Sequence, residues 1–411
     1  MNQLVGIIGS GLIGIDPFDS KSWSGISKRF FLECQSQDIL SRAFGVEVSK
    51  PVKYLLALKN FSSDRRKLIR QYYMDPCYLN ALTELIRKQL TEEDMKSDIL
   101  QIGGMYDVPT LVKKRTKCYS YNDGNFASSV NTRYFPKGIS TSKIDNTLRY
   151  ERDVNHGLDM IFTMSEYLRV SFINDYDIPP ERVVSIGAGI NLDRLPDCAE
   201  QKDYTNGNIL FIGVDFARKG GFELVKAFKV VRERIPAATL HIVGPRNRIA
   251  GVSDLAGVVW HGYLDKYKAG DMAKLNSLFL NASLFVMPSL YEPFGIAPLE
   301  ALAYEIPCVV SNAWALPEIV PENVCGRLVP PGNWEEMAEV LIPLLKDPSM
   351  LERFGKAGRM HVENTFTWEN VVVRLKAVLT GLGERQNILL PRPKQTPLNL
   401  PLSGETSKLL P

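Results

Sequence analysis

The sequence predicts an α/β protein made of two Rossmann-like, doubly wound parallel-sheet domains. Three observations predict it. The chain has 411 residues, more than one ordinary domain holds. Hydrophobic residues make up 45% of it, enough for two cores. Short apolar runs bounded by Gly, Pro or Asn recur along both halves between helical stretches, the pattern of buried strands joined by crossover helices.

The strand candidates of the first half are Leu4–Gly9, Lys53–Leu58, Ile99–Gly103, Cys118–Tyr121, Met160–Met164 and Val183–Ile186. Those of the second half are Ile209–Gly213, Leu240–Gly244, Val258–Gly262, Leu284–Met287, Cys308–Ser311 and Arg327–Val329. Two such series imply two domains. The first is expected over 1–195 and the second over 205–366, with polar turn residues gathered between Asp193 and Gly207 at the boundary. A last helix, about 367–383, is expected to pack back on the first domain, and the Pro-rich tail 385–411 reads as mobile or loosely docked.

The net charge of +3 argues against a dedicated nucleic-acid binder. None of the six cysteines forms a CxxC pair or has zinc-like spacing, so reduced thiols in a cytoplasmic protein are expected. No apolar segment is long enough to span a bilayer. The N-terminus lacks a positive n-region and a cleavage site, and reads as a first strand.

Gly9-Ser-Gly11-Leu-Ile-Gly14 follows that strand and matches the dinucleotide fingerprint GxGxxG. The fingerprint works only where a helix opens at the second glycine. Here Pro17 and Gly25 would interrupt such a helix, and the apolar period starts only at Ile26. The better reading is a long loop, with Ser24-Gly25 opening the first helix and backbone amides placed near an anion or a sugar; Gly25 is therefore a donor-site candidate.

The informative stretch runs from Pro288 to Cys308. A buried strand ends at Pro288, and a helix is expected to begin near Gly295 or Ile296, with Pro298 tolerated in its first turn. The amides of Phe294, Gly295 and Ile296 then offer a diphosphate site at a helix N-terminus, and Gly295 lets a phosphate approach without a Cβ in the way. Glu292 lies before the helix, where it can face a sugar. Glu300 lies just over a turn inside, where it can accept from ribose hydroxyls. Taken singly, Glu292 reads as a capping residue and Glu300 as a solvated helix charge; their spacing and the strand-turn-helix context favour the paired reading.

The stretch resembles the E-x7-E signature of family 4 glycosyltransferases. Arg218-Lys219-Gly220-Gly221 resembles the family's basic phosphate loop, and Ala315-Leu-Pro-Glu318-Ile-Val with Gly326-Arg-Leu-Val resembles its "GGLPE…GLLV" segment. Ser165-Glu166 and Gly189-Ile-Asn191 resemble the end of its first domain. The resemblance implies a GT-B fold, two domains facing a central cleft. It also implies retaining transfer from a nucleotide-diphosphate sugar, of UDP or GDP type, without a cofactor. Lys219, beside Arg218, would neutralise the diphosphate, and Glu292 would orient the donor sugar. Fixed cations and helix amides would stand in for a metal; there is no DxD pair in a suitable loop and no metal-type His cluster, so no metal ligand is expected. Three departures stand out: Val214 occupies the place of a family arginine, Trp314-Ala315 that of a diglycine, and the family histidine near the sugar is absent. Asp123, in Tyr121-Asn-Asp-Gly124, is the candidate in its place; the other reading is a turn aspartate.

The acceptor belongs on the first domain: a glycan, a lipid-linked saccharide or a small molecule. The basic segments Arg65-Arg66-Lys67-Leu-Ile-Arg70 and Lys113–Lys117 read either as a solvated face or as peripheral contact with an anionic membrane. His261 and Tyr263, at a strand end, either stack on a base or simply cap the strand. The alternatives to a transferase are a GT-B phosphorylase or synthase acting on a sugar or sugar phosphate, and an inert sugar-nucleotide-binding partner protein.

Overall fold

The computed structural model describes residues 2–9, 16–192, 194–197 and 202–381. Gly11 and Gly14 of the fingerprint and the tail from 382 onward lie outside these residues.

In the first half the order is β1 (Leu4–Gly9), α1 (Ile26–Ser36), β2 (Leu40–Val46), α2 (Lys50–Lys59), α3 (Arg65–Tyr73) and α4 (Pro76–Gln89), then β3 (Asp98–Ile102), β4 (Cys118–Asn122), α5 (Phe126–Val130), α6 (Thr141–Gly157), β5 (Met160–Thr163), α7 (Glu166–Tyr176) and β6 (Val183–Ser185). In the second half come β7 (Asn208–Ile212), α8 (Gly221–Arg234), β8 (Thr239–Val243), β9 (Val258–Gly262), α9 (Ala269–Asn281), β10 (Leu284–Met287) and α10 (Ile296–Ala303), then β11 (Cys308–Ser311), α11 (Leu316–Ile319), β12 (Gly326–Val329), α12 (Trp334–Leu345), α13 (Pro348–Thr365) and α14 (Trp368–Thr380).

The strands form two six-stranded sheets, ordered β2-β1-β3-β4-β5-β6 and β12-β11-β10-β7-β8-β9. Every pairing is parallel. Parallel strands need crossover helices, and these cover both sheet faces. Strand β7 shows the consequence: Ile209 and Phe211 pack in one core with Phe228, Val231 and Leu341, while Leu210 packs in another with Phe285, Leu299 and Leu302. A strand buried on both faces must be apolar at consecutive positions, which is why this half reads clearly from sequence.

Helix α14 returns to the first sheet's side. Trp368 donates from Nε1 to the Ile190 carbonyl (3.0 Å) and meets Phe30 edge-on at 6.0 Å; Arg374 donates to the Ile186 carbonyl (2.8 Å).

One expected strand is a helix. Lys53–Leu58 lies inside α2, which opens after Ser49 with proline in its first turn. Leu55, Leu56, Ala57 and Leu58 are good helix formers, and only Leu56 of this helix is buried. The strand belonging to that place is β2, an edge strand whose partly exposed Ser41, Arg42, Ala43 and Gly45 interrupt its apolar run.

Candidate active site

In the second sheet the strand order reverses between β10 and β7. The crevice outside the carboxyl ends of strands at such a switch point is where open α/β sheets bind ligands. The two loops leaving it, 213–220 after β7 and 288–295 after β10, lie on one another. Gly220 has φ +74° and caps α8; a Cβ there would collide with the Pro288 carbonyl. Only glycine tolerates both that conformation and that approach. The Leu290 amide donates to the Arg218 carbonyl at 2.8 Å.

This contact brings the predicted charges together. Lys219 Nζ forms a hydrogen-bonded ion pair with Glu292 Oε2. Arg218 Nη1 lies 3.7 Å from the same oxygen and donates to the Tyr291 carbonyl at 2.8 Å. Glu292 is buried and is held by a cation, not by the helix it precedes. Burial pulls the Lys219 pKa down, and the Glu292 charge pulls it back up. A carboxylate and two cations thus share one wall of the crevice.

Helix α10 begins at Ile296, capped by Gly295 at φ +117° with no side-chain cap. A Cβ on Gly295 would press on Leu316 at 2.8 Å. The amides of Phe294, Gly295 and Ile296 stand at the N-terminus of this helix, where no side chain caps them. Glu300 is only 1% exposed, which rules out a solvated helix charge. Its partner is Lys266, from the loop after β9, in an ion pair through Oε1.

The first domain supplies the opposite wall. Asp123 follows β4 and accepts from Trp23 Nε1 at 3.1 Å. Burial raises its pKa, and the Glu292 charge adds to the rise. A Cβ on Gly124 would sit 3.8 Å from that of Pro293. Gly25 caps α1 at φ +84°, so α1 opens where the sequence placed it. Tyr267 of the second domain donates to the Ser20 carbonyl beside it.

The sequence marked Glu318, Trp314, Val214, His261 and Tyr263 without giving their contacts. Glu318 of α11 reaches across the cleft and caps α7: it accepts from the Glu166 amide at 2.7 Å and the Tyr167 amide at 2.8 Å. Burial pushes its pKa up to about 7. A carboxylate at a helix N-terminus satisfies free amides and suits the dipole, so this contact clasps the domains together. Trp314, in place of a glycine, has φ +56°, a strained conformation for a bulky residue; it meets Tyr291 edge-on at 5.8 Å. Val214 is 63% exposed. His261 is engaged by His241 (Nε2 to Nδ1, 3.0 Å), and burial pulls its pKa down to about 4, so it is neutral. Tyr263 lies under Arg246 at 4.0 Å, in a cavity of about 380 Å³ lined also by Asp265, Lys268 and Asp271.

Residues 199–361 match the family model of glycosyl transferases group 1, the stretch that holds Lys219, Glu292, Glu300 and Glu318. The chain is 29% identical over 239 residues to the MMP alpha-(1->4)-mannosyltransferase of Mycolicibacterium hassiacum, covering 56% of this chain and 55% of that one. It is 33% identical over 175 residues to the alpha-maltose-1-phosphate synthase of Mycobacterium tuberculosis, covering 39% and 44%. The chain thus spans about half the length of these curated relatives. Sucrose-phosphate synthase from Thermosynechococcus elongatus superposes with a TM-score of 0.67 at 18% identity, over 92% of this chain and 99% of that one. The fold is GT-B.

Proposed function

We propose that the protein is a retaining, metal-independent glycosyltransferase with the E-x7-E site of family 4, moving a hexosyl group from a UDP- or GDP-type sugar donor to an acceptor held by the first domain. One observation carries the reading: Lys219, Arg218 and Glu292 converge on facing loops at the switch point of the matched domain, with Glu300 buried one helical turn further on.

The chemistry follows from where charge grows. In glycosyl transfer the sugar becomes cation-like while the diphosphate takes up negative charge. Lys219 and Arg218 stabilise the departing diphosphate together with the amides of Phe294, Gly295 and Ile296, and preorganised charges do this without rearranging. Glu292 orients the sugar hydroxyls and stabilises positive charge. Glu300, steadied by Lys266, accepts from the ribose. Asp123 and the backbone at Gly25 contact the sugar from the first domain. The phosphate leaving on the same face takes the acceptor proton, which is the route to retention. Closure, clasped by Glu318, excludes water.

The first domain's rim supports contact with a membrane carrying a lipid-linked acceptor. Tyr54, Leu55, Leu58 and Phe61 are 68–76% exposed beside the exposed basic residues Lys50, Lys59 and Arg65. Among the described residues no helix is long and apolar enough to cross a membrane.

The test is a screen of UDP- and GDP-sugars for donor hydrolysis and for transfer to saccharides, with and without EDTA. The expected result is turnover of one nucleotide class that survives chelation. Turnover lost on chelation and restored by manganese would contradict the metal-independent mechanism. Sugar release that depends on inorganic phosphate would favour a phosphorylase.

A further inference from the structure

Arg70 is the exception among the partly buried arginines. Arg42, Arg169, Arg218, Arg232, Arg359 and Arg374 each donate to a carboxylate or a carbonyl. Arg70, on α3, is partly buried, and among the described residues it makes no hydrogen bond and no ion pair. Its guanidinium instead rests against an edge-to-face pair of rings, 5.3 Å from the centroid of Phe135 and 6.0 Å from that of Phe126, the two centroids being 5.7 Å apart. The aromatic faces orient the cation, but they satisfy none of its five N–H donors.

Glu151, the carboxylate that acts on Arg70 electrostatically, makes no hydrogen bond or ion pair with it. Glu151 is committed to the Tyr176 hydroxyl and to the Phe126 amide at 2.8 Å, and burial pushes its pKa up to about 7. Burial also draws the Arg70 pKa down from its ordinary value. An unpaired, partly desolvated charge costs stability, so the fold carries it for another reason.

Its location suggests which. One turn earlier on α3, Arg66 lies 3.7 Å from Asp215 of the second domain. Tyr134, next to Phe135, donates to the Ala217 carbonyl at 3.2 Å. Tyr291, the neighbour of Glu292, is hydrogen-bonded to Ser128 of α5 and acts electrostatically on Arg70. Arg70 therefore stands on the first-domain side of the cleft, close to the proposed transfer site.

We propose that Arg70 is a specificity-determining residue that receives an oxyanion of the acceptor, a phosphate in the first instance, held in the plane of its guanidinium where it rests against Phe126 and Phe135. A planar fork of donors matches phosphate bidentately. This rests on the transferase reading for the word acceptor, but the anion site stands or falls separately.

The experiment titrates the full chain with inorganic phosphate, glucose 6-phosphate and plain glucose, in the presence of UDP or GDP at millimolar concentration so that the diphosphate site is filled. It uses wild type, Arg70→Gln, Arg70→Met and Arg70→Lys. The expected result is binding of both phosphates but not of glucose, weakened about tenfold or more in Arg70→Gln and Arg70→Met and less in Arg70→Lys. Unliganded Tm should hold or rise in the Gln and Met variants, since an unpaired charge has gone. Vesicles of anionic phospholipid form a second arm: weaker vesicle binding by Arg70→Gln, without weaker binding of the soluble phosphates, would assign the oxyanion to a lipid headgroup. The proposal is overturned if wild type binds none of these anions, or if the Gln and Met variants lose Tm yet bind them as wild type does. Donor hydrolysis by wild type, which needs no acceptor, tests the transferase reading independently of the anion titration.

Discussion

The two sheets share an architecture but are furnished differently at their carboxyl ends. The second presents charges already paired inside the fold, Lys219 with Glu292 and Lys266 with Glu300. The first presents Asp123 under an indole, an arginine against a pair of rings, and a rim helix with an exposed apolar face. The family match covers residues 199–361 and stops short of the first sheet. The difference teaches where the constraint lies. On the proposed function, a nucleotide diphosphate is a fixed object needing fixed charges, whereas the acceptor side can be refitted without touching them.

The largest effect should come from the carboxylate proposed to feel the transition state. Glu292→Gln should lower turnover about 10²–10³-fold, the range for losing one preorganised electrostatic contact, with donor binding little changed, as read by steady-state kinetics. Normal turnover in this variant would remove the distinction between the two walls of the cleft.

Glu300→Gln should instead weaken donor binding about tenfold, the scale of a hydrogen bond to a charged group, and leave turnover nearly intact. If both variants shift the same kinetic constant, the two carboxylates do not have separate roles.

On the first domain the change should spare donor chemistry. Leu55→Glu with Leu58→Glu should reduce co-sedimentation with anionic vesicles several-fold, while donor hydrolysis stays as in wild type. Equal sedimentation of wild type and variant would make the rim an ordinary solvated face.

A pH-dependent effect concerns the clasp. The Glu318 pKa is raised in the folded state, so its contribution to stability is full below the ordinary value of 4.5 and is lost as pH rises toward about 7. Glu318→Gln should therefore flatten the decline in stability across that window, by roughly 1.4 kcal/mol per unit of pKa difference. Denaturant melts at several pH values would show it; parallel curves for variant and wild type would contradict it.

What was legible in the sequence follows the same division. The stretch from Leu284 to Ala303 reads correctly because a two-faced buried strand, a proline stop and a glycine cap each leave a local mark. Strand β2 leaves a weak mark because an edge strand mixes polar with apolar residues, and α2 reads as a strand because Tyr54, Leu55 and Leu58 of the helix and Phe61 just after it are apolar yet face outward. Lys266 had no signal, and Glu318 and Arg70 stood in segments the sequence marked, Ala315–Val320 and Arg65–Arg70, with nothing to show their partners. Lys266 meets Glu300 across 34 positions and Glu318 meets Glu166 across 152, and nothing in a local pattern encodes such a meeting.

The central claim is that the switch-point loops hold a nucleotide diphosphate, and calorimetric titration of UDP and GDP tests it most directly. Wild type should bind one of them, Lys219→Ala should bind it at least about tenfold more weakly, and Lys219→Arg should recover part of the loss while all three remain folded. Equal affinity in wild type and a folded Lys219→Ala, or no binding of either nucleotide to wild type, would contradict the account.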